Sequence, residues 1–283
     1  MSRGNEDEYD PQAAFALLDH SLRIEILLAL LEHWRAAHTE PQRYSDLMGA
    51  VGMEDSGKFN YHLKQLRGVY LRKTEAGYVP TASATALYRA VVATRPTEES
   101  TPTVDDPGIT CPDCDTALTA THERGFYSLD CPGCEQFSGS FTYPFPKNGL
   151  DGRDGPAVLD TVSRRGRAEI GLARTGQCPD CAGATTVQPD SAEGTVTISC
   201  DSCSWLVEVG FLLPLLSDAR VTGVLTEIGV GVDRSYYWEL PDPTVTVVST
   251  DPERIELDIE STRGTATITV TGDLDVLSVS VEA

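Results

Sequence analysis

The run SGKFNYHLKQLRGVYLRK, Ser56 to Lys73, holds five bases (Lys58, Lys64, Arg67, Arg72, Lys73) and no acid. It sits in a chain of 283 residues whose 43 acids and 22 bases leave a net charge of −21. Asp55 or Ser56 offers an N-cap side chain. From there Phe59, Leu63 and Leu66 recur at i, i+4 and i+7, the spacing of one buried helical stripe. That stripe turns Lys58, Asn60, Tyr61, Lys64 and Gln65 outward. Val69 to Lys73, a turn at Glu75-Ala76-Gly77 and Tyr78-Val79 then read as a short hairpin.

The flanks extend the pattern. Residues 12–37 read as helices, with Asp19 and Ser21 as cap candidates and Leu22, Ile26, Ala29, Leu30 and His33 at helical spacing. After Pro41, Ser45 is placed to cap a short helix through Leu47, Met48 and Val51 that Gly52 ends. Thr81 to Thr94 is helical again, with Leu87, Val91 and Val92 apolar. Short helix, tight turn, polar helix and basic hairpin are the order of a winged helix-turn-helix. In that fold Lys58, Asn60 and Gln65 carry side chains able to bond base edges in a major groove. Arg72 and Lys73 are placed to reach phosphates. Ser56, Tyr61, His62, Lys64 and Arg67 complete the candidate contact set with double-stranded DNA.

Charge is unevenly distributed. Residues 12–95 carry ten bases against eight acids, whereas residues 96–283 carry a net −20. Only four bases are lysines (Lys58, Lys64, Lys73, Lys147). An acid-rich, lysine-poor surface stays hydrated in concentrated salt and reads as that of a halophile. No apolar run approaches the ~20 residues that span a bilayer. The acidic opening MSRGNEDEYD is no secretory signal, so the expected location is the cytoplasm.

LLDHSLRIEILLALL, SDLMGAVG and FNYHLKQLRGVYLRKTEAGYV resemble the ArsR-type winged helix-turn-helix regulators over residues 12–95. His62-Leu63-Lys64-Gln65-Leu66 is the most specific part, and the resemblance gives His62 a role in orienting the recognition helix or touching DNA backbone. Metal-sensing members of that family place cysteines in this domain, and residues 1–110 contain none. Direct heavy-metal sensing there is not expected.

All eight cysteines fall in four pairs: Cys111/Cys114, Cys131/Cys134, Cys178/Cys181 and Cys200/Cys203. Within each set, 16 and 18 residues separate the pairs, and 43 residues separate the sets. Two knuckles joined by a hairpin of that length make a four-thiolate zinc ribbon. Two structural Zn2+ ions per chain are expected. Disulfides need an oxidising compartment, a redox motif needs only one pair, and four thiolates leave no open catalytic position. Cross-pairing between the sets and a zinc-sensing role remain alternatives, and His122 is read as a surface hairpin residue.

The ribbons read as a tandem duplication. Each is followed by a strand ending in proline, Ser140 to Pro144 and Val209 to Pro214, and then by a helix, Ala157 to Arg174 and Asp218 to Ile228, the latter capped by Ser217 and Gly229. Arg164, Arg165, Arg167 and Arg174 form a second basic concentration, read as neutralising nearby acids rather than touching DNA. Tyr236-Tyr237-Trp238 is read as core, with a ligand cavity as the alternative. Thr244–Val248, then Ile255, Leu257 and Ile259, then Ala266, Ile268 and Val270, then Val276, Val279 and Val281 form a β meander with one wet face.

The expected class is therefore multidomain α+β. Its parts are an acidic tail (1–11), a winged helix-turn-helix (12–95), a linker that hinges the modules (96–110), a first zinc ribbon with its helix (111–176), and a second ribbon with helix and terminal sheet (177–283). The full order is similar to a haloarchaeal group of ArsR-like regulators. That resemblance implies a DNA-binding transcriptional regulator acting as a homodimer through residues 12–35 and 82–95. The rival is a general-transcription-like or protein-interaction factor, similar in outline to archaeal transcription factor E, whose ribbons dock on a partner protein. No phosphate-cradling glycine loop or nucleophile–base set is present to suggest an enzyme.

Overall fold

A computed structural model describes residues 10–32, 34, 40–97, 103–137, 141–232 and 235–282. The chain divides between Glu98 and Glu99 into two compact units, helical in the first and rich in β-sheet in the second.

The first unit runs α1 (Pro11–Ala16), α2 (Ser21–Glu32), α3 (Tyr44–Ala50), α4 (Ser56–Leu66), β1 (Leu71–Lys73), β2 (Tyr78–Pro80) and α5 (Ala82–Thr94). Its core gathers Leu22, Ile26 and Leu30 of α2, Leu47 of α3, and Phe59, Leu63 and Leu66 of α4. Burying each such side chain stabilises by about 1.5–3 kcal/mol. β1 and β2 pair antiparallel, with Arg72 opposite Val79. The Thr81 hydroxyl ties the hairpin to α5, accepting from Ala84 N at 3.4 Å and donating to Val69 O at 2.6 Å.

Of the cap expectations, that for α4 holds and those for α2 and α3 need correcting. Asp55 caps α4, accepting from Lys58 N at 3.0 Å. In α2 the side chain that takes a free amide is His20, whose Nδ1 accepts from Leu22 N at 3.1 Å. Ser45 does not cap α3, because the helix already begins at Tyr44 and Ser45 Oγ donates to Asp46. His33 of the expected α2 stripe, most of the acidic tail and Ser140 lie outside the described residues.

The second unit starts earlier than expected. Thr103–Asp105, read as linker, is strand β3, and it opens a four-stranded antiparallel sheet with β4 (Thr119–Glu123), β5 (Phe126–Asp130) and β6 (Phe141–Pro144) in the order β3-β4-β5-β6. Val104 pairs with Thr121, and Leu118 N donates to Ile109 O, so backbone pairing absorbs the C-terminal part of the 96–110 segment. A 20-residue helix α6 (Gly155–Arg174) follows, capped by Asp154. Next come the three-stranded sheet β7 (Thr185–Asp190), β8 (Thr195–Cys200), β9 (Leu206–Gly210), then α7 (Leu212–Leu215) and α8 (Ala219–Glu227). Strands β10 (Thr244–Thr250), β11 (Glu253–Ser261), β12 (Gly264–Thr271) and β13 (Val276–Glu282) form an antiparallel meander, with Ile255, Leu257, Ile259, Ala266, Ile268 and Val270 fully buried on one face.

The expected boundary at 176/177 does not separate two modules. Val158, Leu159 and Val162 of α6 enter the first ribbon's core, whereas Ile170 and Ala173 enter the core shared by the second ribbon and the meander. One rigid helix thus belongs to both. Two details also differ after β9. The apolar run from Phe211 forms a helical turn with Pro214 inside it, instead of continuing the strand. Asp218, not Ser217, caps α8 by accepting from Arg220 N at 2.9 Å, because the Ser217 hydroxyl donates to Pro214 O. Gly229 ends α8 at φ +85°, as a C-terminal glycine should.

Candidate functional site

Four cysteine sulfurs converge in each of the two ribbons. In the first cluster Cys111 and Cys134 lie 3.6 Å apart, and Cys114 and Cys131 3.5 Å. In the second, Cys178 and Cys203 lie 3.7 Å apart, and Cys181 and Cys200 3.5 Å. Within each cluster all four sulfurs fall inside 4.8 Å. A tetrahedral ion with ~2.3 Å metal–sulfur bonds places its ligands about 3.8 Å apart. The spacing fits that shell, and both clusters can hold a metal ion. The sets do not cross-pair.

The knuckles show why the sequence folds this way. Cys111 N donates to Thr116 O and Cys178 N to Gly183 O, closing equivalent turns. The residue after the second cysteine takes a left-handed conformation in both, Asp115 at φ 59° and Ala182 at φ 60°. Backbone amides of Gly133, Gly183 and Ser202 then donate to Cys131, Cys181 and Cys200 at 3.3–3.4 Å. Hydrogen bonding with Thr116 holds the Cys114 thiol down to about 6 and the Ser202 amide holds Cys200 near 7, while burial and the neighbouring cysteines push Cys134 and Cys203 up to about 12. Donors aimed at sulfur favour thiolate, and four sulfurs this close can all carry charge only with a cation among them. Thr116 and Ser202 escaped the sequence reading; their only signal is a place two residues after a knuckle cysteine.

The basic surface is built by α4 and β1. Phe59, Leu63 and Leu66 are buried, so helical geometry leaves Gly57, Tyr61 and Lys64 on the far side. Of the residues predicted to meet DNA, Ser56, Lys58, Tyr61, Lys64, Gln65, Arg67, Arg72 and Lys73 are exposed and Asn60 is half-buried. Tyr61 is the aromatic centre of the face, 60% exposed. Lys73 Nζ sits 6.0 Å from the Tyr78 ring centroid.

His62 departs from the expected set. It is 6% exposed and packs on His20 with ring centroids 4.1 Å apart. Its position is one turn from Phe59 and Leu66 on the apolar side, where the helix carries it into the α2 interface. Contact with DNA is therefore replaced by packing beneath the helix. Burial, reinforced by His20, Arg23 and Lys58, lowers its pKa below the usual histidine value.

The second basic concentration is committed internally. Arg165 pairs with Glu169 at 2.7 Å. Arg164, Arg167 and Arg174 donate to the carbonyls of Asp160, Val232 and Leu274. Capping of backbone carbonyls thus accompanies the expected charge neutralisation, which Arg165 makes with Glu169 and Arg174 with the nearby Asp218. His122 Nε2 lies 2.9 Å from Phe145 O, away from the sulfurs. Tyr236 and Trp238 stack at 4.9 Å over the first ribbon's core, the packing role expected of the aromatic triplet, whereas Tyr237 lines a cleft.

Among the described residues, no helix is long and apolar enough to cross a membrane. A family model described as a domain of unknown function (DUF7347) matches residues 11–91, and another described as a domain of unknown function (DUF7351) matches residues 108–276. No curated protein and no solved structure matches the chain. Since the second match spans more than half the sequence and takes in both cysteine clusters, the chain belongs to the DUF7351 family.

Proposed function

We propose that this protein is a DNA-binding transcriptional regulator of the ArsR-like winged-helix type, with α4 in the major groove, β1–β2 as the wing and zinc in both cysteine clusters. The observation that carries the reading is the acid-free surface of α4 and β1. It is exposed, basic and amide-bearing in a chain of net charge −21. Lys58, Asn60 and Gln65 read bases, Lys64, Arg67, Arg72 and Lys73 meet phosphate, and Tyr61 packs against the groove wall. Buried His62 positions the helix without touching DNA. Zinc supplies cross-linking of each knuckle pair and no catalytic step.

A single winged helix covers one half-site, so the protein acts as a homodimer in the cytoplasm. Exposed Ile24 and Leu28 on α2 and Val91 and Val92 on α5 support a self-association face within the expected segments. One observation favours the second reading, a factor docking through its ribbons: Val104, Phe126 and Leu206 are exposed on the ribbon strands. Footprinting on genomic fragments tests both. A regulator protects a discrete, symmetric operator; broad promoter protection, or none, overturns the proposal.

A further inference from the structure

A cleft of about 160 Å³ lies where β6 of the first ribbon, β9 of the second and the middle of α6 meet. Its walls are Phe141 and Tyr143, Val209, Leu213 and Tyr237, with Gly166 at its back. Phe141 and Tyr237 stack on each other at 5.6 Å and 23°, and both line the cleft. We propose that this cleft is a binding site for a small, uncharged, planar aromatic molecule.

Gly166 is the central observation. It is buried in the middle of a 20-residue helix, where glycine costs about 0.5–1 kcal/mol relative to alanine. Close packing does not require it: a Cβ there would meet only the Tyr143 ring, at 3.5 Å, an ordinary contact. Its missing side chain therefore leaves open volume rather than permitting a close approach. The space is of the order that admits a benzene-sized ring, since a ~150 Å³ apolar cavity does so. The aromatic lining of Phe141, Tyr143 and Tyr237 suits an aromatic guest through offset or edge-to-face contact.

The charges around the cleft set the ligand class. Arg167 lines it, with one guanidinium N–H turned to Val232 O. Glu208 is exposed at the mouth, and residues 96–283 carry a net −20, which repels anions. Ser163 supplies a hydroxyl for one polar substituent. Binding here does not depend on DNA recognition, and the following test reads it on the full chain either way.

Isothermal titration of the full-length, zinc-loaded chain with 1-naphthol should give saturable 1:1 heat, and 1-naphthoate should bind at least tenfold more weakly. Gly166→Leu and Ser163→Leu, which fill the cleft from neighbouring turns of α6, should each weaken 1-naphthol at least tenfold with zinc content and circular dichroism unchanged. If Gly166→Leu fails to fold, Ser163→Leu decides. Absence of saturable heat in the wild type, equal binding of 1-naphthoate, or wild-type affinity in a folded variant would overturn the proposal.

Discussion

The imidazole rings of His20 and His62 lie 4.1 Å apart and tilted by 44°, and they join α2 to the underside of α4. His62 Nδ1 and Arg23 Nε are both buried there without a hydrogen-bond partner among the described residues. A proton on His62 would add charge to that interface, which is why burial holds its pKa down. The unfolded chain binds this proton below about pH 6.5, whereas the folded chain resists it. Stability from this group is therefore complete above about pH 6.5. It falls as pH drops, by up to about 1.4 kcal/mol per pH unit, until the lowered folded pKa is passed. Hydrogen exchange of the α4 amides between pH 7.5 and 5 should show the loss, and His62→Gln should flatten it. An unchanged slope in His62→Gln would remove His62 from the account.

Lys58→Ala and Asn60→Ala should each reduce discrimination between an operator and its single-base variants by about 1–3 kcal/mol. Both side chains stand outside the core, so the urea midpoint should hardly move. Alanine at Lys64, Arg72 or Lys73 should instead weaken all sequences alike and lower the salt slope by about 1 each. Intact discrimination in the first pair would mean the wrong face was assigned.

Metal analysis of the purified chain should find two zinc ions. Gly133→Val should lose one, because a Cβ at 133 would meet Thr116 Oγ1 at 2.3 Å and crowd Cys114 Sγ at 3.2 Å. Gly183→Val should empty the other cluster, through Ser202 Oγ at 2.9 Å. Structural zinc supplies on the order of 10–16 kcal/mol in small domains. Since α6 serves both cores, loss of either ion should lower the unfolding temperature of the whole second unit, as read by calorimetry.

Much of this architecture is legible in the sequence where one residue type has one physical reason. The 3.6-residue stripe of Phe59, Leu63 and Leu66 sets both faces of α4, and Cys-x-x-Cys spacing sets both clusters. Alternation of Ile255, Leu257 and Ile259 sets the inner face of the meander. The signal fails where two roles compete for one residue. His62 has the chemistry of a contact but the helical phase of the core. Thr103–Asp105 looks like linker because an edge strand needs only backbone pairing. Phe211–Leu215 is apolar enough for a strand, yet packs as a helical turn with its proline inside. The clustered arginines read as surface charge, while the carbonyls they cap come from residues up to 100 positions away.

Arg174 makes that last point testable. Its Nε donates to Ser217 Oγ at 3.1 Å and its guanidinium to Leu274 O at 3.0 Å. Arg174→Ala should destabilise the second unit by about 1–3 kcal/mol while DNA affinity stays at the wild-type value. A large loss of DNA affinity with unchanged stability would instead give this arginine a nucleic-acid role.

Photocrosslinking from position 61 tests the central claim most directly. A benzoylphenylalanine in place of Tyr61, at the middle of the exposed face of α4, should crosslink to an operator duplex in the major groove, and the same probe at Phe126 or Leu206 should not. Crosslinks from the ribbon positions with none from position 61 would contradict the claim that this helix reads DNA.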